Sequence, residues 1–118
     1  MNIRELYEKI GGKYEDVLGR LSKEDIVEKF ALMYLKDNSF DLLLSAIESG
    51  DVVAAFRGAH SLKGVAANLG FEELRKAATE LTEQLRPQNV PADATLVEAV
   101  KKAQQKIIAG LQEYQSSK

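Results

Sequence analysis

Apolar residues recur every three or four positions along most of this chain, which is the spacing of amphipathic helices. No segment alternates apolar and polar residues between turn signals, so we expect no β-sheet. The pattern predicts an all-α protein. The predicted helices cover about residues 2–10, 13–21, 22–36, 38–50, 51–69, 71–85 and 94–114.

Residues that start or stop helices stand at many of these boundaries. Ser22, Asp51 and Asp93 are predicted N-caps, because their side chains can accept a hydrogen bond from a free N–H of the first turn. Gly50 and Gly70 follow the ends of two helices, where a left-handed residue commonly closes the last turn. Both prolines lie in the segment between the last two helices.

Apolar stripes along these helices indicate which faces are buried. Four substantial helices joined by short loops predict an antiparallel four-helix bundle, with the short N-terminal helices packed across it. We expect one domain over residues 1–118, with an N-terminal helical extension at 1–21 and the bundle at 22–115. Two of the predicted stripes are Ile26, Phe30, Met33 and Tyr34, and then Leu42, Leu43, Ala46 and Ile47.

Composition and charge narrow the function classes. The 118 residues are 45% hydrophobic and 29% charged, which is typical of a soluble globular domain. The 16 basic and 18 acidic residues give a net charge of -2, which disfavours nucleic-acid binding. The absence of cysteine excludes disulfide scaffolds and thiol chemistry. Without a signal sequence or a long apolar run we expect a cytoplasmic protein with no membrane contact.

The only histidine lies in the middle of the helix at residues 51–69. Successive helical residues turn by about 100°, so small and apolar residues fall on the side opposite His60. If that side is buried, His60 points to solvent or to a partner. The expected buried arc is Ala55, Gly58, Ala59, Leu62, Val65, Ala66 and Leu69.

Small and cationic residues surround His60 on its own side of the helix. Gly64 costs the helix about 1 kcal/mol relative to alanine. Together with Ala67 it leaves open space beside the imidazole. Arg57 and Lys63 bring two positive charges within one turn, which suits a phosphoryl group carrying nearly two negative charges.

Apolar residues on the same side indicate docking of a partner. Val53 and Phe56 would be exposed there, with Ser61 and Asn68 at one edge of the face. No Asp or Glu lies one turn from His60 on its helix. A catalytic histidine usually has such a group to orient it, so His60 is predicted to rely on a partner for the remaining chemistry.

The run from Ala59 to Gly70, AHSLKGVAANLG, resembles the signature of the histidine-containing phosphotransfer (HPt) domain of two-component phosphorelays. That signature is a histidine, a variable residue, a leucine or similar residue, then lysine and glycine, with a hydrophobic–glycine pair closing the helix. The likeness extends to Phe30, to the Gly50–Asp51 turn and to the apolar spacing of residues 71–85. It covers roughly residues 22–115.

The resemblance implies an antiparallel four-helix bundle with an exposed histidine that exchanges phosphate with receiver-domain aspartates. His60 would become a phosphohistidine, Lys63 would stabilise the phosphoryl group, and Gly64 would give the partner access. The chain would be a carrier and not an enzyme. Its partners would be receiver domains of response regulators, with a hybrid sensor kinase as a further candidate. Mg²⁺ is expected only on the receiver, no cofactor is expected here, and a monomer is expected.

Other functions fit the sequence less well, and one stays open. A helical adaptor could bind a partner through Val53, Phe56 and Ala67 without being phosphorylated. A metal or haem site is disfavoured by the single histidine, and the Glu72–Glu73 pair is explained by the helix dipole. A full sensor kinase is excluded by length and by the lack of a glycine-rich ATP motif, and a receiver domain by the lack of strands.

Overall fold

The computed structural model describes every residue from Met1 to Lys118, and its regular elements are all helical, as predicted. A short 3₁₀ helix, Tyr34–Lys36, follows the third α-helix. None of the helices combines the length and apolar character needed to cross a bilayer. The α-helices are α1 (Ile3–Lys9), α2 (Tyr14–Leu21), α3 (Glu24–Met33), α4 (Ser39–Ser49), α5 (Val52–Leu69), α6 (Glu72–Leu85) and α7 (Ala94–Ser116).

Helix α5 packs between two neighbours, with α4 on one side and α6 on the other. Helix α6 also packs against α7, and α1 contacts α7. One cluster of buried apolar side chains draws on every helix, from Ile3 to Tyr114. The bundle is therefore organised around α5 and α6, whose buried faces supply much of this core.

Most of the predicted helix caps are confirmed. The Asp51 carboxylate accepts a hydrogen bond from the Ala54 N–H at 3.0 Å, and Asp93 begins α7 in the same way. Gly50 and Gly70 have φ values of 74° and 70°, in the left-handed region that favours glycine. These residues fix both ends of α5 and the start of α7.

The predicted N-cap at Ser22 is wrong. Ser22 has a φ of 72° and ends α2, because its N–H donates to the Leu18 carbonyl oxygen at 2.7 Å. Helix α3 begins two residues later at Glu24, with Lys23 as an N-cap that provides no side-chain hydrogen bond.

Two of the predicted buried stripes are displaced. In α3 the buried residues are Val27 and Ala31, followed by Tyr34, whose ring packs edge-on against Phe71 with centroids 5.3 Å apart. Phe30 and Met33 are consequently 40% and 53% exposed. In α4, Leu43 and Ala46 are buried as predicted, but Leu42 is 61% exposed.

The C-terminal end of α5 is held by the N-terminal segment. The last carbonyl groups of a helix have no partner within the helix and need donors from elsewhere. The Arg20 guanidinium donates to the carbonyl oxygens of Ala67 and Asn68, both at 2.9 Å. The Tyr7 hydroxyl donates to the carbonyl oxygen of Leu69 at 2.7 Å. The Lys13 N–H donates to the carbonyl oxygen of Gly70 at 2.8 Å.

Two glycines of α5 have opposite surroundings. A Cβ atom at Gly58 would lie 3.0 Å from the Leu43 Cα, so glycine lets α4 and α5 approach closely. A Cβ atom at Gly64 would meet nothing within 4 Å. Gly58 therefore serves packing, whereas Gly64 has no packing role.

We expect the same substitution to have opposite effects at these positions. Gly64→Ala should raise the free energy of unfolding by about 1 kcal/mol through helix propensity. Gly58→Ala should lower it by up to about 2 kcal/mol, because pressing the new methyl group against the α4 backbone costs about 1–3 kcal/mol and outweighs the same gain in helix propensity. Urea denaturation of both variants measures the difference. A Gly58→Ala variant as stable as Gly64→Ala would contradict the packing argument.

Candidate functional site

Helix α5 is buried on one side and open on the other, as its sequence pattern predicts. Ala55, Ala59, Leu62 and Ala66 are buried, and His60 is exposed. The other three residues of the predicted arc, Gly58, Val65 and Leu69, are only half-buried. We call the exposed side the His60 face. Its other exposed residues are Val53, Arg57, Ser61, Gly64, Ala67 and Asn68, and its half-buried residues are Phe56 and Lys63.

Open space adjoins His60 towards the C-terminal half of α5. Nothing lies within 4 Å of a Cβ atom placed on Gly64, one turn after the histidine. Ala67 continues the same strip and is exposed. A planar surface could therefore reach the imidazole without displacing any side chain of this strip.

On the other side of His60, Phe56 is less available to a partner than its sequence position indicates. Its ring is 6.2 Å from the His60 ring, centroid to centroid, and tilted by 30°. The Arg86 guanidinium lies over the same ring, 5.5 Å from its centroid. Phe56 also packs against the buried core. It is thus a half-buried support for His60, covered in part by a cation from α6.

Helix α6 brings an ion pair to this side of the site. The Glu83 carboxylate accepts two hydrogen bonds from Arg86, at 2.7 and 2.9 Å. The hydrogen bond from Arg86 holds the pKa of the Glu83 carboxyl below its ordinary value, and the positive charges of Arg86 and Lys63 lower it further. Because Arg86 also lies over the Phe56 ring, this ion pair of α6 stands next to the Phe56 side of the site.

Sequence reasoning missed Glu83 and Arg86 because a helical wheel relates residues of one helix only. The available signal was their i, i+3 spacing at the end of α6, which marks an ion pair but does not place it beside another helix. The charges around His60 are consequently two cations from α5 and an ion pair from α6.

This arrangement suits a nucleophile that receives a small anionic group. An exposed imidazole can form a bond to an electrophilic phosphorus atom, and nearby cations stabilise the charge that arrives with it. No group of three or more His, Asp or Glu side chains is close enough together to hold a metal ion.

Comparison with known proteins identifies one family. The family model described as Hpt domain matches residues 34–114, more than half of the chain. The match contains the whole His60 face and begins after α3. No curated protein and no solved structure matches the chain at a significant level.

The Glu83–Arg86 pair can be tested without reference to function. In Arg86→Met the pKa of the Glu83 carboxyl should rise towards its ordinary value, because the strongest hydrogen-bond donor is lost. Side-chain carboxyl NMR over a pH titration measures this shift. Glu72 is the internal control, since Arg75 lowers its pKa and that pair is unchanged. An unmoved Glu83 pKa would show that Arg86 does not hold the carboxylate.

Proposed function

Because the chain belongs to the Hpt domain family, we propose that it is a phosphorelay carrier in which His60 takes a phosphoryl group from a receiver-domain aspartate and passes it to another receiver. Hpt domains carry phosphoryl groups in phosphorelays and work with receiver domains of two-component systems. The observation that carries the proposal is the exposure of His60 beside the open space at Gly64.

The transfer is a displacement at phosphorus. A neutral ring nitrogen of His60 attacks the phosphorus atom of the receiver's acyl phosphate. As the N–P bond forms, the P–O bond to the aspartate breaks and the electron pair returns to its carboxylate. The reverse reaction delivers the group to a second receiver. Such a reaction needs mainly in-line positioning and charge stabilisation from the protein.

We assign Lys63 and Gly64 supporting roles in this step. The Lys63 ammonium would stabilise the phosphoryl oxygens, since it lies one turn from His60 and is only half-buried. The bare backbone at Gly64 would let the receiver's active site approach the imidazole. Mg²⁺ and its acidic ligands would come from the receiver, so the chain itself uses no cofactor and is a carrier and not an enzyme.

Docking would involve the rest of the His60 face. Exposed apolar and small residues would lie against the receiver, with Arg57 contributing a positive charge towards its acidic site. Phe56 would act mainly by supporting the imidazole, since Arg86 covers part of its ring. The proposed docking residues are Val53, Phe56, Arg57, Ser61, Ala67 and Asn68.

We extend the proposal to the architecture. The connections after α4 and α5 are short, at Gly50–Asp51 and Gly70–Phe71, which favours antiparallel neighbours. We propose an antiparallel four-helix bundle at residues 22–115, with residues 1–21 packed across it as part of one domain. The protein would act as a monomer in the cytoplasm, with a hybrid sensor kinase as a further partner.

The decisive test is label transfer to His60→Gln. The wild-type protein should take ³²P from a phosphorylated receiver domain as an acid-labile, base-stable label, and the variant should take none. The variant should keep its helical circular dichroism, because position 60 is exposed. Equal labelling of the variant would refute the assignment. A wild-type protein that binds receivers but takes no label would instead be an adaptor.

A second test addresses Lys63. Lys63→Ala should slow transfer by roughly 10- to 100-fold, the loss expected for one charge-assisted hydrogen bond worth about 1.5–3 kcal/mol. Transfer should persist, because the lysine is not the nucleophile. Lys63→Arg should recover most of the rate by keeping the charge. Rapid-quench kinetics measure both variants, and an unchanged rate in Lys63→Ala would remove the lysine from the mechanism.

A further inference from the structure

Lys63, the cation assigned to the phosphoryl group, lies on the side of α5 that faces α6. Measured around the helix axis from His60, Phe56 and Lys63 fall at about −40° and −60°, since each residue turns the helix by about 100°. Phe56 is covered there by Arg86 of α6, and both Phe56 and Lys63 are half-buried. Lys63 therefore projects towards α6.

The course of the two helices brings Glu83 close to Lys63. Phe56, near the start of α5, meets Arg86, which directly follows the last residue of α6, so the helices run in opposite directions. Lys63 follows Phe56 by about 10.5 Å and Glu83 precedes Arg86 by about 4.5 Å, at about 1.5 Å per residue. The two residues are thus about 6 Å apart along the helix axes. Because side chains lean towards the N-terminus of their own helix, these two lean towards each other.

Lys63 nevertheless has no carboxylate partner, because none of the ion pairs of the protein involves it. Glu83 is bound instead by Arg86, whose Nε and Nη2 atoms donate to its two oxygens at 2.7 and 2.9 Å. A guanidinium matches a carboxylate with two parallel bonds, whereas an ammonium is a point charge. Glu80, about one turn before Glu83, lines a groove between α6 and α7 and so faces away from α5.

Lys63 is the cation next in place to bind Glu83 if Arg86 released it. The hydrogen bond from Arg86 lowers the pKa of the Glu83 carboxyl most, and the charge of Lys63 adds to that effect. A lysine paired with a carboxylate has its charge balanced, and it would have to leave that pair before it could bind a phosphoryl group carrying nearly two negative charges. A free Glu83 would therefore compete with the phosphoryl group for Lys63.

We propose that Arg86 is a positioning residue, which binds the Glu83 carboxylate and thereby keeps the Lys63 ammonium free for the phosphoryl group at His60. The proposal rests on the proposed function and adds to it a residue of α6 that does not touch the phosphoryl group. The Arg86 guanidinium is already occupied, since it donates to Glu83 and lies over the Phe56 ring. Loss of Arg86 therefore slows transfer only while Glu83 and Lys63 are both present.

The test removes the two charges of this pair separately and together. Wild type, Arg86→Met, Glu83→Gln and the double variant take ³²P from a saturating phosphorylated receiver domain in rapid-quench experiments. Arg86→Met is also combined with Lys63→Ala. Arg75→Met is the matched control, because Arg75 forms the equivalent i, i+3 pair with Glu72 at the other end of α6. A crystal structure of Arg86→Met gives a measurement that does not depend on transfer.

Arg86→Met should slow transfer by about two- to fivefold, the range set by the strength of an ion pair between largely exposed side chains. Glu83→Gln should match wild type, and the double variant should return to the wild-type rate. In the Lys63→Ala background, Arg86→Met should cause little further loss, and Arg75→Met should match wild type. The crystal structure of Arg86→Met should place the Lys63 ammonium within about 4 Å of the Glu83 carboxylate.

A double variant as slow as Arg86→Met would overturn the proposal, because Arg86 would then act on the phosphoryl group directly or through Phe56. No loss in Arg86→Met, an equal loss in Arg75→Met, or an undiminished loss in the Lys63→Ala background would overturn it as well. So would a Lys63 that stays apart from Glu83 in the crystal structure, even with a normally active wild type. Wild-type protein that takes no label from any receiver would contradict the proposed function and this inference together.

Discussion

The hydrogen bonds that close the C-terminal end of α5 are the constraint on which the rest of this structure depends. Tyr7, Lys13 and Arg20 satisfy four successive carbonyl groups, from Ala67 to Gly70. Unpaired carbonyls at a partly buried helix end would each cost free energy comparable to a lost hydrogen bond. The N-terminal helices thus do more than cover the bundle, because they fix the helix that carries His60.

Helix α5 has two sides with opposite requirements. Its buried side is made of alanine, leucine and Gly58, and the missing side chain at Gly58 brings the α4 backbone close. Its exposed side carries His60, and the space next to it at Gly64 is open. Because one rigid helix provides both, close packing against α4 and α6 also sets the direction in which the imidazole points. The residues that pack in the core and the residues beside His60 therefore lie on opposite faces of the same helix.

The sequence was sufficient for features that depend on one helix or one turn. The all-α class, the caps at Asp51 and Gly70 and the centre of the buried arc of α5 all follow from local spacing and backbone chemistry. On α3 the sequence did not distinguish two neighbouring faces, because the buried Val27 and Ala31 directly follow the predicted Ile26 and Phe30 and lie only about 100° further around the helix. Glu83 was missed because its neighbours lie on another helix. At Ser22, a left-handed turn replaced the cap that its residue type favours.

The exposure of His60 also bears on how long it could hold a phosphoryl group. No side chain closes over the imidazole, so if His60 carries a phosphoryl group, as we propose, water would have access to that group. The phosphorus–nitrogen bond would then be exposed to spontaneous hydrolysis for as long as the carrier diffuses between partners. Under the proposed function, hydrolysis by water would therefore compete with transfer to the next receiver.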